Sequence, residues 1–154
     1  MLVSEAVKRD VITVKRSLPL RSLLELFKSF HTHPLIPVVD DARGLIGVVY
    51  PENLLDLLRP FQAKMFRNVP FMDIDEDAFD LEPVPYMGEL IIVDDIMDAN
   101  FFSLKEEETL AQAYKMMRLH KKERLPVVDN HGKLVGILGI FDVIWNMFRE
   151  KEIV

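Results

Sequence analysis

The 154-residue chain contains no cysteine. That absence removes disulfides, thiol nucleophiles and thiolate metal sites together. Long apolar runs are missing too. The longest, Leu134 to Phe141, has 8 residues and includes two glycines, whereas a membrane-spanning helix needs about 20. Positive charge is in short supply, with 19 Lys and Arg against 25 Asp and Glu and a formal net charge of −6. Nucleic acid and anionic lipid both require clustered cations, so neither is an expected partner. The first ten residues carry Glu5, Lys8, Arg9 and Asp10 and no apolar signal segment, and the expectation is a soluble cytoplasmic protein.

Catalytic and metal-binding patterns are equally scarce. There is no Gly-rich phosphate loop, Ser-His-Asp order or paired-carboxylate spacing. His31, His33, His120 and His131 do not form a ligand set, because two loop histidines without a third donor hold a metal only weakly. Asp73, Asp75 and Asp77 alternate like the start of a calcium loop. Such a loop needs Gly at its sixth position and Glu at its twelfth, and here Ala78 and Val84 stand there. No enzymatic activity, required cofactor or metal is expected.

What the chain does have is a repeat. Leu125-Pro126-Val127-Val128-Asp129 is followed by Gly136 and then Ile137-Leu138-Gly139-Ile140-Phe141-Asp142. Ile36-Pro37-Val38-Val39-Asp40 is followed by Gly47 and then Val48-Val49-Tyr50-Pro51-Glu52-Asn53, at a constant offset of 89. A repeated unit of this kind seldom closes a core alone. With 49% apolar residues, the composition suits one domain or two small halves sharing an interior. Two copies predict a two-fold internal architecture with a groove between them.

Each half reads as a short strand, a helix, two strands and a helix. In the first half, Val11 to Val14 is β-branched. Leu20, Leu23, Leu24 and Phe27 then mark one helical face, with Pro19 suited to its first turn and Ser17 as a cap. Strands follow over 35–40 and 45–49, joined through Asp41 to Gly44. A second helix begins near Pro51, carries Leu54, Leu57 and Leu58 on one side, and ends by Pro60. In the second half, Phe101 to Leu104 is the short strand. Glu106, Glu107 and Glu108 precede a helix, where negative charge is favourable, and Leu110, Ala113, Tyr114 and Met117 line its face. Strands over 125–129 and 134–138 lead to a closing helix marked by Ile140, Val143, Ile144 and Met147. All these apolar positions are expected in the core. Thr13 matches Ser103, and Leu20 matches Leu110, at offset 90. One extra residue is therefore placed in the loop from His31 to Leu35, where an insertion costs least.

Val93-Asp94-Asp95-Ile96-Met97, Ser103-Leu104, the Leu-Pro-Val-Val-Asp strand, Gly132 to Ile137 and Asp142 together resemble a CBS (cystathionine β-synthase) domain. Residues 3 to 58 resemble a second, weaker copy. The resemblance implies an α+β fold: a tandem CBS-domain pair, two β-α-β-β-α repeats in pseudo-two-fold symmetry. The expected boundaries are 1–59 for the first repeat, 60–90 for an acidic and aromatic linker, and 91–150 for the second repeat. It also implies a homodimer and a sensor of an adenosine-containing ligand such as AMP, ADP, ATP or S-adenosylmethionine.

An apolar cleft for a base, a carboxylate for ribose hydroxyls and a cation for phosphate are what such a ligand needs. The resemblance assigns these parts to Asp142 for ribose, with Gly139 where the family carries a hydroxyl residue, and to Arg124 for phosphate. Phe141, beside Asp142, joins the candidates. Thr13 and Ser103 lie beside the short strands, where family members contact base or phosphate. Asn53 and Tyr50 hold the matching places in the first half, where Tyr50 either stacks on a base or plugs the groove; the plug is the reading adopted. From the residues alone, Asp142 reads first as a solvent-exposed acid or helix cap, Arg124 as a solvated loop charge, and Thr13 and Ser103 as strand edge. The expected function is a regulatory nucleotide-binding module whose ligand-dependent shape an unknown effector protein reads. The alternative is a ligand-free scaffold acting in oligomerisation or protein–protein interaction.

Overall fold

The computed structural model describes residues 1–28, 34–58 and 86–154. The histidines at 31 and 33, the end of the helix at Pro60, most of the 60–90 segment and the Asp73 to Asp77 alternation lie outside the described residues. The elements run α1 (Val3–Ala6), α2 (Leu20–Phe27), β1 (Ile36–Val39), β2 (Leu45–Val49), α3 (Pro51–Leu55) and a 3-10 turn (Asp56–Leu58). They continue as α4 (Met87–Leu90), α5 (Val93–Ile96), β3 (Leu104–Lys105), α6 (Leu110–His120), β4 (Arg124–Val128), β5 (Leu134–Gly139) and α7 (Ile140–Glu150).

The repeat is visible as matched hydrogen bonding. β1 and β2 pair antiparallel, as do β4 and β5, with a register shift at Val38/Val39 in one pair and at Val127/Val128 in the other. β3 runs parallel to β4 through Leu104 and Val127. Its counterpart in the first half is reduced to one parallel bridge, Val14 to Val38. The Asp that ends each Pro-Val-Val-Asp segment closes the turn beyond it. One oxygen of Asp40 accepts the amides of Ala42 and Gly44 at 2.9 and 2.7 Å, and one of Asp129 accepts those of His131 and Lys133 at 2.8 and 3.0 Å. Those amides hold the Asp129 carboxyl below its ordinary value. At the centre of symmetry the amide of Leu45 donates to Gly132 at 3.1 Å and that of Leu134 donates to Arg43 at 3.0 Å. Gly132 and Arg43 occupy the same turn position, both left-handed, at φ 74° and 68°.

The two cores are crossed. Val3 packs into the cluster of Leu104, Leu110, Ala113, Met117, Leu125, Val127, Leu138 and Val143. Val93 and Ile96 pack with Val14, Leu20, Leu23, Phe27, Ile36, Val38 and Val49. Each short arm thus completes the core of the opposite half. Lys8 pairs with Ile137, and Asp98 pairs with Val48. The repeated glycines make room for this crossing. A Cβ on Gly136 would collide with the main-chain carbonyl of Lys8, and one on Gly47 would lie 2.5 Å from the Met97 sulfur.

Several local expectations need correction. Leu24, Phe102, Tyr114 and Ile144 are exposed rather than core; the three helical ones flank narrower buried stripes, and Phe102, in the loop before β3, stacks on His120 at the surface. Ser17 does not cap α2. The Leu20 amide donates instead to the carbonyl of Ile91 at 2.7 Å, so the opposite arm does the capping and Pro19 occupies the N-cap position. In α6 the corresponding amide of Leu110 goes to Met1 at 3.1 Å. There Thr109, which the sequence reading passed over, adds a reciprocal cap with Gln112 at 3.2 and 2.9 Å. The offset of 90 still holds at buried Phe27 and Met117, so the extra residue of the first half falls between Phe27 and Ile36.

Candidate functional site: a cleft between the halves

A cleft of about 230 Å³ opens between the halves. The first half contributes Lys8, Asp10, Val11, Ile12, Pro34 and Leu35, and the second contributes Arg124, Ile137, Gly139 and Asp142. Arg124 opens β4 directly opposite Gly139 at the end of β5. The β5-to-α7 junction then places Asp142 in the first helical turn. One oxygen of Asp142 accepts the amide of Gly139 at 3.0 Å. Its other oxygen lies 3.6 Å from the ammonium of Lys8. The carboxylate therefore holds the start of its helix and lines the cleft at once. Arg124 has no ion pair or side-chain hydrogen bond among the described residues.

Three of the expected residues, Asp142, Gly139 and Arg124, are thus brought together. Phe141 is 67% exposed and does not line this cleft, and neither does Thr13, although its neighbours Val11 and Ile12 do. Ser103 belongs to the other arm, whose residue Asp98 pairs with β2. It lines neither this cleft nor the hollow beside Tyr50. Lys8, Asp10, Val11 and Ile12 were missed by the sequence reading. Their place in the second half's cleft depends on which half each arm crosses to, which no spacing along the chain states.

The first half shows what the same positions do without the carboxylate and with an aromatic ring in place of a glycine. The Oδ1 of Asn53 accepts the amide of Tyr50 at 2.6 Å, the capping contact that Asp142 makes to Gly139. Where Gly139 leaves the cleft open, Tyr50 projects a ring. Its hydroxyl donates to the carbonyl of Arg124 at 3.2 Å, and the ammonium of Lys122 sits 4.1 Å from the ring centroid and 3.5 Å from Glu52. Burial first, then the charges of Glu52 and Asp98, push the Tyr50 phenol up to about 12, so it remains an O–H donor at ordinary pH. A second hollow of about 300 Å³ is lined by Tyr50, Pro51, Glu52 and Lys121 to Arg124, and it shares Pro34 and Arg124 with the first. Among the described residues there is no cluster of three or more metal-ligating side chains and no helix long and apolar enough to cross a membrane.

Two copies of one α+β unit with exchanged arms and a cleft at their junction define a tandem-repeat module. The CBS-domain family model matches residues 3–60 and 93–148, and the chain belongs to that family. It is 31% identical over 142 residues to the CBS domain-containing protein CBSX1, chloroplastic, of Arabidopsis thaliana, covering 89% of this chain but only 59% of that relative's length. The structure of Arabidopsis CBSX2 in complex with AMP superposes with a TM-score of 0.71 at 26% identity, over 97% of this chain and 98% of that one. The CBS domain pair of protein MJ0100, solved with 5′-methylthioadenosine and S-adenosyl-L-methionine, shares the fold with a TM-score of 0.65 at 18% identity, over 98% of each chain.

Proposed function

We propose that this chain is a regulatory module, not an enzyme, that binds an adenosine-containing nucleotide in the cleft of Asp142, Gly139 and Arg124. The observation that carries the reading is the composition of that cleft. It combines an apolar wall (Val11, Ile12, Leu35 and Ile137), a carboxylate at a helix start and a guanidinium with no partner among the described residues. These suit base, diol and phosphate in turn. The AMP complex of CBSX2 supports the ligand class.

Magnitudes bear on how the ligand enters. The cleft of about 230 Å³ falls just below the ~300 Å³ lower bound of ordinary small-molecule pockets, so a whole mononucleotide must widen it. The Lys8–Asp142 contact is the part that yields. At 3.6 Å, with the lysine side chain 73% exposed, it is worth less than about 1 kcal/mol. A ribose diol that takes Asp142 frees Lys8 to join Arg124 on the phosphate.

The proposal includes a homodimer. Phe141, Ile144, Trp145 and Phe148 are exposed at i, i+3, i+4 and i+7 of α7, one continuous apolar face of the kind that marks an interaction surface. That face also favours the second reading, a scaffold acting in oligomerisation or protein–protein interaction without ligand. The cytoplasmic compartment and an effector protein that reads the bound state remain parts of the proposal; the relative CBSX1 is named chloroplastic.

A thermal-shift series with AMP, ADP, ATP and S-adenosylmethionine tests the reading. At least one ligand is expected to raise the melting temperature of the unmodified chain, and Asp142→Ala is expected to abolish that rise. No shift with any of them at millimolar concentration leaves the scaffold reading standing alone.

A further inference from the structure

Tyr50 belongs to the first half, yet its contacts run to the strand entry of the second. Its hydroxyl donates to the main-chain carbonyl of Arg124. Its ring lies under Lys122, two residues earlier, whose ammonium is also held near Glu52. Residues 122–124 are therefore tied down at two points from across the pseudo-two-fold axis. Arg124 itself lines the open cleft with Asp142 and also borders the hollow beside Tyr50. The Tyr50 ring meanwhile stands at the position where Gly139 leaves the second half open.

We propose that Tyr50 is a positioning residue for the Arg124 guanidinium, so that the first groove serves as an internal strut for a single ligand site in the opposite cleft. This rests on the reading of Arg124 as the group that meets phosphate. The physical reason is entropy. An arginine at a strand entry that is free to shift must be ordered by the ligand itself, and that ordering subtracts from affinity. Fixing the main chain beforehand removes part of the cost. Because Tyr50 acts on the Arg124 main chain, its effect reaches only what that side chain touches.

The test is calorimetric titration of the full chain with AMP and, separately, with adenosine, which lacks the phosphate. Tyr50→Phe removes one oxygen and keeps the ring against Lys122. It is expected to weaken AMP about three- to tenfold, the range for loss of one neutral hydrogen bond, and to leave adenosine within about twofold. The loss should vanish when Tyr50→Phe is made on an Arg124→Ala background, the behaviour of two coupled residues. Equal weakening of both ligands would make Tyr50 merely structural and overturn the inference. So would AMP binding that Tyr50→Phe leaves unchanged, with the nucleotide reading itself intact. Absence of AMP binding to the unmodified chain overturns both.

Discussion

The amide of Val3 donates to the carbonyl of Glu108 at 2.8 Å, placing the start of the chain in the core of its far half. The matching bond, Val93 to Leu18 at 2.9 Å, carries the other arm the opposite way. The repeat is consequently not two beads but two units that each complete the other. Val3 is fully buried beside Leu104 and Leu125. Val3→Ala is expected to cost about 2 kcal/mol through lost burial and a residual cavity. Hydrogen exchange locates the effect: amides of residues 104–138 should exchange faster than those of residues 36–49. Faster exchange confined to 36–49 would contradict the crossed cores.

The repeated glycines differ in what crosses them. At Gly136 the obstacle is the main chain of Lys8, which must shift bodily; at Gly47 it is the Met97 side chain, from its sulfur back to its Cβ, which can turn away without moving the backbone. Gly136→Ala is therefore expected to lower the denaturation midpoint clearly more than Gly47→Ala. It should also loosen the Lys8 arm and with it one wall of the cleft. Equal midpoints would show that the arm gives as easily as a methionine.

Asp142 and Asn53 carry the same structural duty with different chemistry. Each accepts the amide three residues back, at 3.0 and 2.6 Å. Asp142→Ala and Asn53→Ala should both lose about 1 kcal/mol of stability, the usual net worth of one hydrogen bond, here from the third helical residue back to the N-cap amide, in chemical denaturation. Only Asp142→Ala is expected to lose nucleotide affinity. A similar loss of affinity in both variants would mean that the cap, and not the carboxylate, shapes the site.

Tyr50 supplies a spectroscopic check. The chain has 3 tyrosines, and burial with the nearby Glu52 and Asp98 pushes the Tyr50 phenol up to about 12. The folded-state value is raised above the unfolded one. Its contribution to stability is therefore complete below about 10 and is lost as pH climbs through about 12. Ultraviolet titration of phenolate should show one late step near pH 12 that Tyr50→Phe removes. An unmodified chain without that late step would place the Tyr50 ring in solvent.

Much of the fold was legible because period and punctuation are local. The Pro-Val-Val-Asp strands, their glycines and the apolar stripe of Leu20, Leu23 and Phe27 speak for themselves, and the offset change from 90 to 89 falls between Phe27 and Ile36. The resemblance drew Asp142, Gly139 and Arg124 together, and the cleft contains all three. What was not legible depends on the crossing. Ser17 is a good capping residue by type, yet Ile91 from the other arm takes the Leu20 amide. Leu24 and Tyr114 fit a helical face by spacing, but no described element covers them. Lys8 and Ile12 enter the cleft because an arm changes sides, a tertiary event with no signature along the chain.

The central claim is one nucleotide site per chain, at Asp142 and Arg124, with Tyr50 standing in the other groove where Gly139 leaves this one open. Calorimetric titration of the unmodified chain with AMP tests it most directly. The expected result is saturable binding at one AMP per chain, with about 2.7 kcal/mol of added stability at one hundred times the dissociation constant. Two equivalent sites per chain would contradict the Tyr50 strut, and no heat and no stabilisation at millimolar AMP and S-adenosylmethionine would contradict the nucleotide site itself.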